Sequence, residues 1–496
     1  MKSKFSKVLS ILLSVVLVIS SFYLLYQVIR LNVLPSKFLF PLTIGVVVLD
    51  AICILLLIYF SKNVVSKIIC IVLTLVICAA SCMGGYYISK TQGALSNITN
   101  VAKHAKNTVS VIVKESSDIK NKSQLNGVSV GTLRLIGEEG SKKALKELSG
   151  EGIVLNQTEY DSMTALLEAF YNGEVDSIII NESSRSQILD MEAYSNFDSN
   201  TRVVYQTSYK VKNNDSATSV SDITSKPFNV LISGSDTRGG FDENGRSDVI
   251  MVATVNPKTH TILLTSVPRD FYVTTACDAG DGCMQGALDK ITHTGIHGTN
   301  TTKRTVEQLL GIEINYTFKV GFDTVTDLVD ALGGIDVNVE PGYATNTFAA
   351  LPGFSVHEGV NHLNAEQALA FARERYSYTE GDRQRTKNQQ QVLMGIVKEA
   401  TKPSVITNYA AIMDTMANTF STTMSNEEIT DLIKYQLNNN PTWKMEQYMV
   451  DGTGDTLMCA ELGDAASVMV PDQSTVKMAK DKINAVLAGK SSEDVK

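Results

Sequence analysis

With 496 residues, the chain is long enough for two or three domains with substantial cores. Its 44 Lys and Arg against 52 Asp and Glu leave a net charge of −8, which argues against general nucleic-acid binding, since that needs a basic surface. The apolar residues are concentrated at the N-terminus. Three runs, Val8–Ile29, Phe38–Phe60 and Ile68–Ile88, each approach the ~20 residues a helix needs to cross a bilayer. Asp50 is the one acidic residue of the second run; it either pairs within a helix bundle or marks a site. Two further spans follow the first, so a cleavable signal peptide fits poorly. Lys2, Lys4, Lys7, Lys62 and Lys67 lie on one side and Arg30 and Lys37 on the other, which predicts a cytoplasmic N-terminus. Everything after Ile88 is then extracytoplasmic, on a multi-pass anchor in the cell membrane.

Beyond the spans, Thr91–Thr108 is polar and helix-compatible, a stalk. From about Val109 to Val211, apolar β-branched runs alternate with amphipathic helical stretches such as Asp161–Tyr171, which predicts an accessory α/β domain. It offers no nucleophile–base pair and no metal-ligand cluster, so its expected role is binding or interaction. Lys212–Lys226, rich in Ser, Thr, Asn and Asp, reads as a linker. A second α/β domain begins at Pro227. Phe228–Ile232 and Val249–Val255 read as strands, and the Asn256-Pro257 turn leads to a hairpin partner at Thr261–Val267. Ile335–Glu340 alternates as a strand, while Thr302–Leu310, Asp323–Ala331, Ala365–Glu374 and Thr386–Ala400 read as helices. The expected layout is an anchor over 1–90, an accessory domain with its stalk over 91–211, a linker over 212–226 and a catalytic domain over 227–490, with a disordered tail from about Ser491.

Cys53, Cys70, Cys78 and Cys82 fall in the spans and act as small apolar residues. Cys277 and Cys283 flank a short loop in an oxidising compartment, where a local disulfide is plausible. Two thiols at that spacing are not a zinc set. His293 and His297 have the i, i+4 spacing of some zinc pairs but lack the Glu of HExxH.

The chemistry is concentrated in charged motifs. Asp236, Arg238, Arg246, Asp248, Arg269 and Asp270 sit in three short segments at or near strand ends, and Arg373, Arg375, Arg383 and Arg385 follow in a fourth. One Asp–Arg pair is ordinarily a surface salt bridge. Four pairs in short polar motifs point instead to a clustered anion, because the permanently charged guanidinium fork matches phosphate oxygens. Carboxylates among such arginines make sense beside a hard cation. Lys290 adds a further positive charge, and Gln389 shares a helical face with Arg385. A metal-assisted pyrophosphate site is the reading.

The segments FNVLISGSDTRG, GRSDVIMVATVNP, ILLTSVPRDFYV, LDKITHTG, ALGGIDVNV, LNAEQALAFARERY and DRQRTKNQQQVL resemble the LytR–CpsA–Psr (LCP) family of cell-wall phosphotransferases over about Phe228–Ala400. Three spans plus an accessory exterior domain look most like its capsule-associated CpsA branch. The resemblance implies an α-β-α catalytic domain that moves a glycopolymer (capsular polysaccharide or teichoic-acid-like) from a polyprenyl-pyrophosphate carrier to peptidoglycan. It implies that Asp236 and Asp248 hold Mg²⁺, or Mn²⁺, and that Arg269, Lys290, Arg373, Arg375, Arg385 and Gln389 bind the pyrophosphate. Arg238, Arg246 and Asp270 become supporting members, with Asp270 or a metal-bound carboxylate as proton acceptor; Arg383 joins the set with an undefined role. The lipid tail would occupy an apolar tunnel. Implied partners are lipid-linked glycopolymer, peptidoglycan, the membrane and wall- or capsule-assembly proteins, not nucleic acid. Hydrolysis of the lipid pyrophosphate, or a non-enzymatic sensor or regulator, are the alternatives.

Overall fold

A computed structural model describes residues 2–60, 63–101, 104–212, 216–235, 243–278, 282–402, 405, 412–413, 415–416 and 420–496. The chain divides into two compact units. One contains the described residues of Met1–Asn97, Ala400–Ala417 and Ser425–Pro441. Its helices α1 (Lys2–Leu31), α2 (Ser36–Leu55) and α3 (Val64–Val101) include three stretches long and apolar enough to cross a membrane. Asp50 is paired within this bundle, accepting a hydrogen bond from Ser21 Oγ at 2.9 Å. The third helix runs unbroken into the segment expected as a separate stalk, and a strand starts at His104 rather than near Val109.

Among its described residues the other unit holds two large sheets and three two-stranded ones. The first has five strands, β1 (His104–Lys114), β2 (Ser129–Leu133), β3 (Asn156–Tyr160), β4 (Ser177–Asn181) and β5 (Thr201–Lys212), in the order 3-2-4-1-5. Helices α4 (Glu138–Gly150), α5 (Met163–Asn172), α6 (Arg185–Asp190) and α7 (Phe197–Asn200) connect them. Their alternation as parallel β2 between β3 and β4 with helical crossovers follows from the apolar run of β4, whose Ile178 and Ile180 bury against Leu166, Leu167 and Phe170 of α5 while Ile179 packs on α4 across the sheet.

The second sheet has six strands. β6 (Phe228–Ser235), β7 (Ser247–Asn256) and β8 (Thr261–Val267) form an antiparallel meander. Two two-stranded pairs are set beside it: β9 (Tyr272–Thr274) with β10 (Leu288–Lys290), and β12 (Ile335–Val339) with β13 (Gly359–Leu363). β11 (Tyr316–Gly321) lies parallel to β6, β14 (Phe420–Thr422) flanks β11, and β15 (Lys444–Met449) lies parallel to β8. β16 (Gly452–Cys459) and β17 (Asp464–Pro471) form a hairpin. The period of two along β6 and β7 makes this a three-layer sandwich. Leu231, Ile250 and Val252 turn to one face and pack on α8 (Thr299–Leu310) and the C-terminal helix at Gln473–Leu487, through Val306, Leu310, Val476 and Ile483. Ile232, Val249 and Met251 turn to the other, toward α9 (Phe322–Leu332), α10 (Ala365–Arg373) and α11 (Asp382–Ala400).

Two boundaries differ from expectation. α11 begins at Asp382, four residues before Thr386, because Gly381 in a left-handed conformation (φ 53°) turns the chain into it. The tail is ordered: the Ser491 hydroxyl and the Ser492 N–H both donate to the buried Glu446 carboxylate, at 2.9 and 2.8 Å.

Candidate active site

β6 ends at Ser235, antiparallel β7 begins at Ser247 and β8 ends at Val267, so their motif-bearing ends share one edge of the sheet. That edge is the carboxyl side of β6, where open α/β sheets place ligands. Asp236 and Arg238 lie outside the described residues. Under the edge runs a buried chain of hydroxyls: Ser233 to Ser247 at 2.9 Å, Ser247 to Thr302 at 3.0 Å, and Thr294 to Thr302 at 2.9 Å. It satisfies polar groups that would otherwise be costly to bury.

Above that floor the charged residues meet. Arg269 donates through Nη1 to Asp248 Oδ1 at 2.9 Å, and Thr292 donates to the same oxygen at 3.2 Å. Arg246 stands 3.8 Å from Asp248 Oδ2 and also pairs with Asp190 at the end of α6. Asp270 lies 3.7 Å from Arg269 Nε and 3.5 Å from Lys290 Nζ. Burial acts to lower the Arg269 pKa, but the Asp248 and Asp270 charges outweigh it and hold it above the usual arginine value. At Arg385 the balance is opposite. Burial, reinforced by the Arg269 and Arg375 cations, pushes it below the usual value despite its partner Asp382.

Three guanidinium Nε donors, of Arg246, Arg269 and Arg385, are buried with no hydrogen-bond partner. A buried unpaired donor costs about 1–3 kcal/mol, so three in one cluster form a preorganised set for an anion. Arg375 stacks on the Tyr376 ring at 4.7 Å and donates to its hydroxyl at 2.7 Å. Arg373 closes α10 and is exposed. Arg383 does not join the cluster: it is turned to Asp451 at 2.8 Å and the Gly452 carbonyl at 3.1 Å. The i, i+2 spacing from Arg385 forces this, since the two residues leave a helix on different faces.

Beside the cluster a cavity of about 170 Å³ opens between the sheet and α9–α11. Ile232, Met251, Phe318, Leu369, Val392 and Ile396 line it, so its walls are almost wholly carbon. Gln389, one turn along α11 from Arg385, is also in its lining, as is Ser235. A charged cluster and an apolar cavity are thus joined through one helix. Gly234 allows β6 and β7 to approach closely here; a Cβ would stand 2.7 Å from Val249 Cβ.

His293 Nδ1 is 2.7 Å from Asp289, whereas His297 pairs with Glu461, so the two histidines serve different carboxylates. Burial acts to raise the Asp289 carboxyl pKa, but His293 and the backbone N–H groups of Glu461 and Lys290 outweigh it and hold it low. Among the described residues no three His, Cys, Asp or Glu side chains gather as a metal cluster. Cys277 and Cys283 are joined as a disulfide. Cys459 is buried, and that burial pushes its thiol up to about 12.

Asp190, Thr292 and Asp382 are site residues that the motifs alone did not single out. Asp382 was accessible from its i, i+3 spacing to Arg385 once the start of α11 is set correctly. Asp190 and Thr292 reach Arg246 and Asp248 from 56 and 44 residues away, and carry no local signal.

The model of the LytR_cpsA_psr family matches residues 193–485. A Bacillus mycoides protein named polyisoprenyl-teichoic acid–peptidoglycan teichoic acid transferase TagU is 32% identical over 231 residues, covering 46% of this chain and 70% of its own length. Its namesake in Bacillus cereus is 31% identical over 245 residues, 49% of this chain and 76% of that one. The crystal structure of B. subtilis TagU aligns with 30% identity over 53% of this chain and 97% of that chain, with a TM-score of 0.40. With more than half its length matched by the family model, the chain belongs to the LytR_cpsA_psr family.

Proposed function

We propose that the protein is a membrane-anchored phosphotransferase that moves a glycopolymer from a polyprenyl-pyrophosphate carrier to peptidoglycan, forming a phosphodiester. The observation that carries this reading is the pairing of an arginine cluster holding three unpaired buried Nε donors with a carbon-walled cavity reached along α11. That pairing suits an anionic head on an apolar tail. The relatives named as teichoic acid transferases support it.

In this reading Arg269, Arg385 and Lys290 bind the pyrophosphate oxygens, with Arg373 and Arg375 at the outer rim. An acceptor sugar hydroxyl attacks the phosphorus that carries the glycan, a new P–O bond forms, and polyprenyl phosphate leaves. The arginines stabilise charge on the phosphoryl oxygens by preorganised electrostatics rather than covalent chemistry. Asp270, with its side chain one-third exposed, is the carboxylate open to the incoming hydroxyl and receives its proton.

Of the two carboxylates expected to hold a hard cation, Asp248 is described and leaves one oxygen available. Asp248 Oδ1 is occupied by Arg269 and Thr292, but its Oδ2 has only Arg246 at 3.8 Å. Magnesium usually takes one or two carboxylates plus substrate phosphates, so Asp248 with Asp236 would hold Mg²⁺ or Mn²⁺. Bound there, it would supply charge neutralisation at the phosphates. The test supplies the purified full chain in nanodiscs with lipid-linked polymer and peptidoglycan. Covalent polymer–wall product is expected; release of free polymer alone refutes the transferase reading.

A further inference from the structure

A second cavity, of about 370 Å³, lies between the five-stranded sheet and the phosphotransfer site. Its volume falls in the ~300–1,000 Å³ range of small-ligand sites. Asn107 and Tyr209 face each other across β1 and β5, and Asn181 pairs with Val109, two residues along β1 from Asn107. The period of two therefore puts Asn107, Tyr209 and Asn181 on one face of the sheet. Asn244, two residues before Arg246, and Asn300, in the first turn of α8, line the opposite wall.

The chemistry of this wall is selective. Tyr209 Oη accepts from Asn107 Nδ2 at 3.4 Å, while the Oδ1 atoms of Asn107 and Asn181 are buried without a hydrogen-bond partner. α4 packs tightly against them: a Cβ on Gly140 would stand 2.5 Å from Asn181 Oδ1 and 3.1 Å from the Tyr209 ring. No lysine or arginine is among the described lining residues, whereas Glu139 is, together with Glu138 and Asp278, which pair with Lys142 and Arg304 behind the wall. A phosphate or other anion is therefore disfavoured. The amides and the phenol share the wall with Leu135, Ile136 and Ile296, and a purely hydrocarbon ligand would leave those buried amides unpaired at a cost. This wall suits an uncharged ligand rich in hydroxyl or acetamido groups, held by several neutral hydrogen bonds.

We propose that this cavity binds an uncharged saccharide, placing a glycan segment next to Arg246 and the transfer site. Only the origin of that glycan, donor polymer or wall acceptor, rests on the transferase reading; binding itself does not. The test titrates the full chain in nanodiscs with two probes, tetra-N-acetylchitotetraose for a wall-type glycan and cellotetraose for an unacetylated one. Binding of at least one is expected, weakened about fivefold to tenfold by Tyr209→Phe and by Asn181→Leu, as loss of single hydrogen bonds predicts. Melting temperatures of both variants are read alongside, and Tyr209→Phe keeps the ring and its packing. Binding of the acetylated probe alone supports the site and assigns it to acceptor-type glycan. Arg269→Ala should retain binding while losing transfer; saccharide binding by a protein that shows no transfer leaves this site standing and removes the transferase reading. If neither probe binds, or binding is unchanged in both folded variants, the proposal is overturned.

Discussion

Removing Arg269 separates the site's architecture from its chemistry. Arg269 is 2.9 Å from Asp248 and Arg246 is 3.8 Å from the other oxygen of the same carboxylate. At an effective dielectric of ~20 these distances correspond to gross attractions of about 6 and about 4 kcal/mol. Asp248 therefore loses the larger share of its ionic compensation in Arg269→Ala but is not stranded, since Arg246 and the Thr292 hydroxyl at 3.2 Å remain. The loss of stability should stay below the ~3–5 kcal/mol of a fully stranded buried charge. Activity should fall much further, by about 10²–10³ in kcat, as for loss of one donor aimed at a developing negative charge. Arg269→Lys restores charge but not the fork and should recover only part of the rate. The assay is covalent attachment of lipid-linked polymer to peptidoglycan in nanodiscs, with thermal unfolding followed in parallel. A folded Arg269→Ala protein within tenfold of wild-type kcat would refute the reasoning.

Other perturbations read different parts of the molecule. Asp190→Ala leaves the buried Arg246 guanidinium without its closest partner, and transfer should drop about tenfold through misplacement of Arg246; Asp190→Glu should recover much of it in the same assay. Leu393→Trp fills the apolar cavity that Leu393 helps to line, and should weaken use of long-chain lipid carriers more than short-chain ones, seen as a chain-length-dependent rise in KM. Buried Glu446 is held by Lys444 and Ser492 down to about 2, despite burial acting to raise it. Its folded-state value lies below the ~4.3 of an unfolded glutamate, so its contribution is full above that pH and is lost as pH falls toward 2, by at most about 3 kcal/mol. Thermal midpoints should therefore fall more steeply between pH 4 and about 2 in the wild type than in Glu446→Gln. Replacing Cys277 and Cys283 with serine opens a short loop and should cost about 2 kcal/mol, read from denaturant unfolding under non-reducing conditions.

The charged motifs were readable because they are local: Asp248, Arg269 and Asp270 abut short apolar strands whose ends predict their placement together. Helix boundaries were less readable where polar residues concealed them. The run Asp382–Arg385 has no apolar stripe, so only the turn at Gly381 marks the start of α11, and Arg383 was grouped with residues it faces away from. The ordered tail escaped for a different reason. Its polar composition suggests disorder, but its order comes from Glu446, 46 residues earlier, which accepts the Ser492 N–H. Long-range polar pairs leave no periodicity in a sequence.

The five-stranded sheet reaches the transfer site at two points. Asp190 holds Arg246, and Glu243, buried just before it, accepts from Thr108 at 2.5 Å and pairs with Lys106 at 3.1 Å, both on β1. Glu243 and Arg246 are thus fastened by residues from 104–212. A fragment beginning after residue 212 would retain every charged motif yet leave Glu243 without Lys106, and Arg246 without Asp190, with only Asp248 at 3.8 Å as its counter-charge. For this chain, the placement of Glu243 and Arg246 is a property of the pair of sheets.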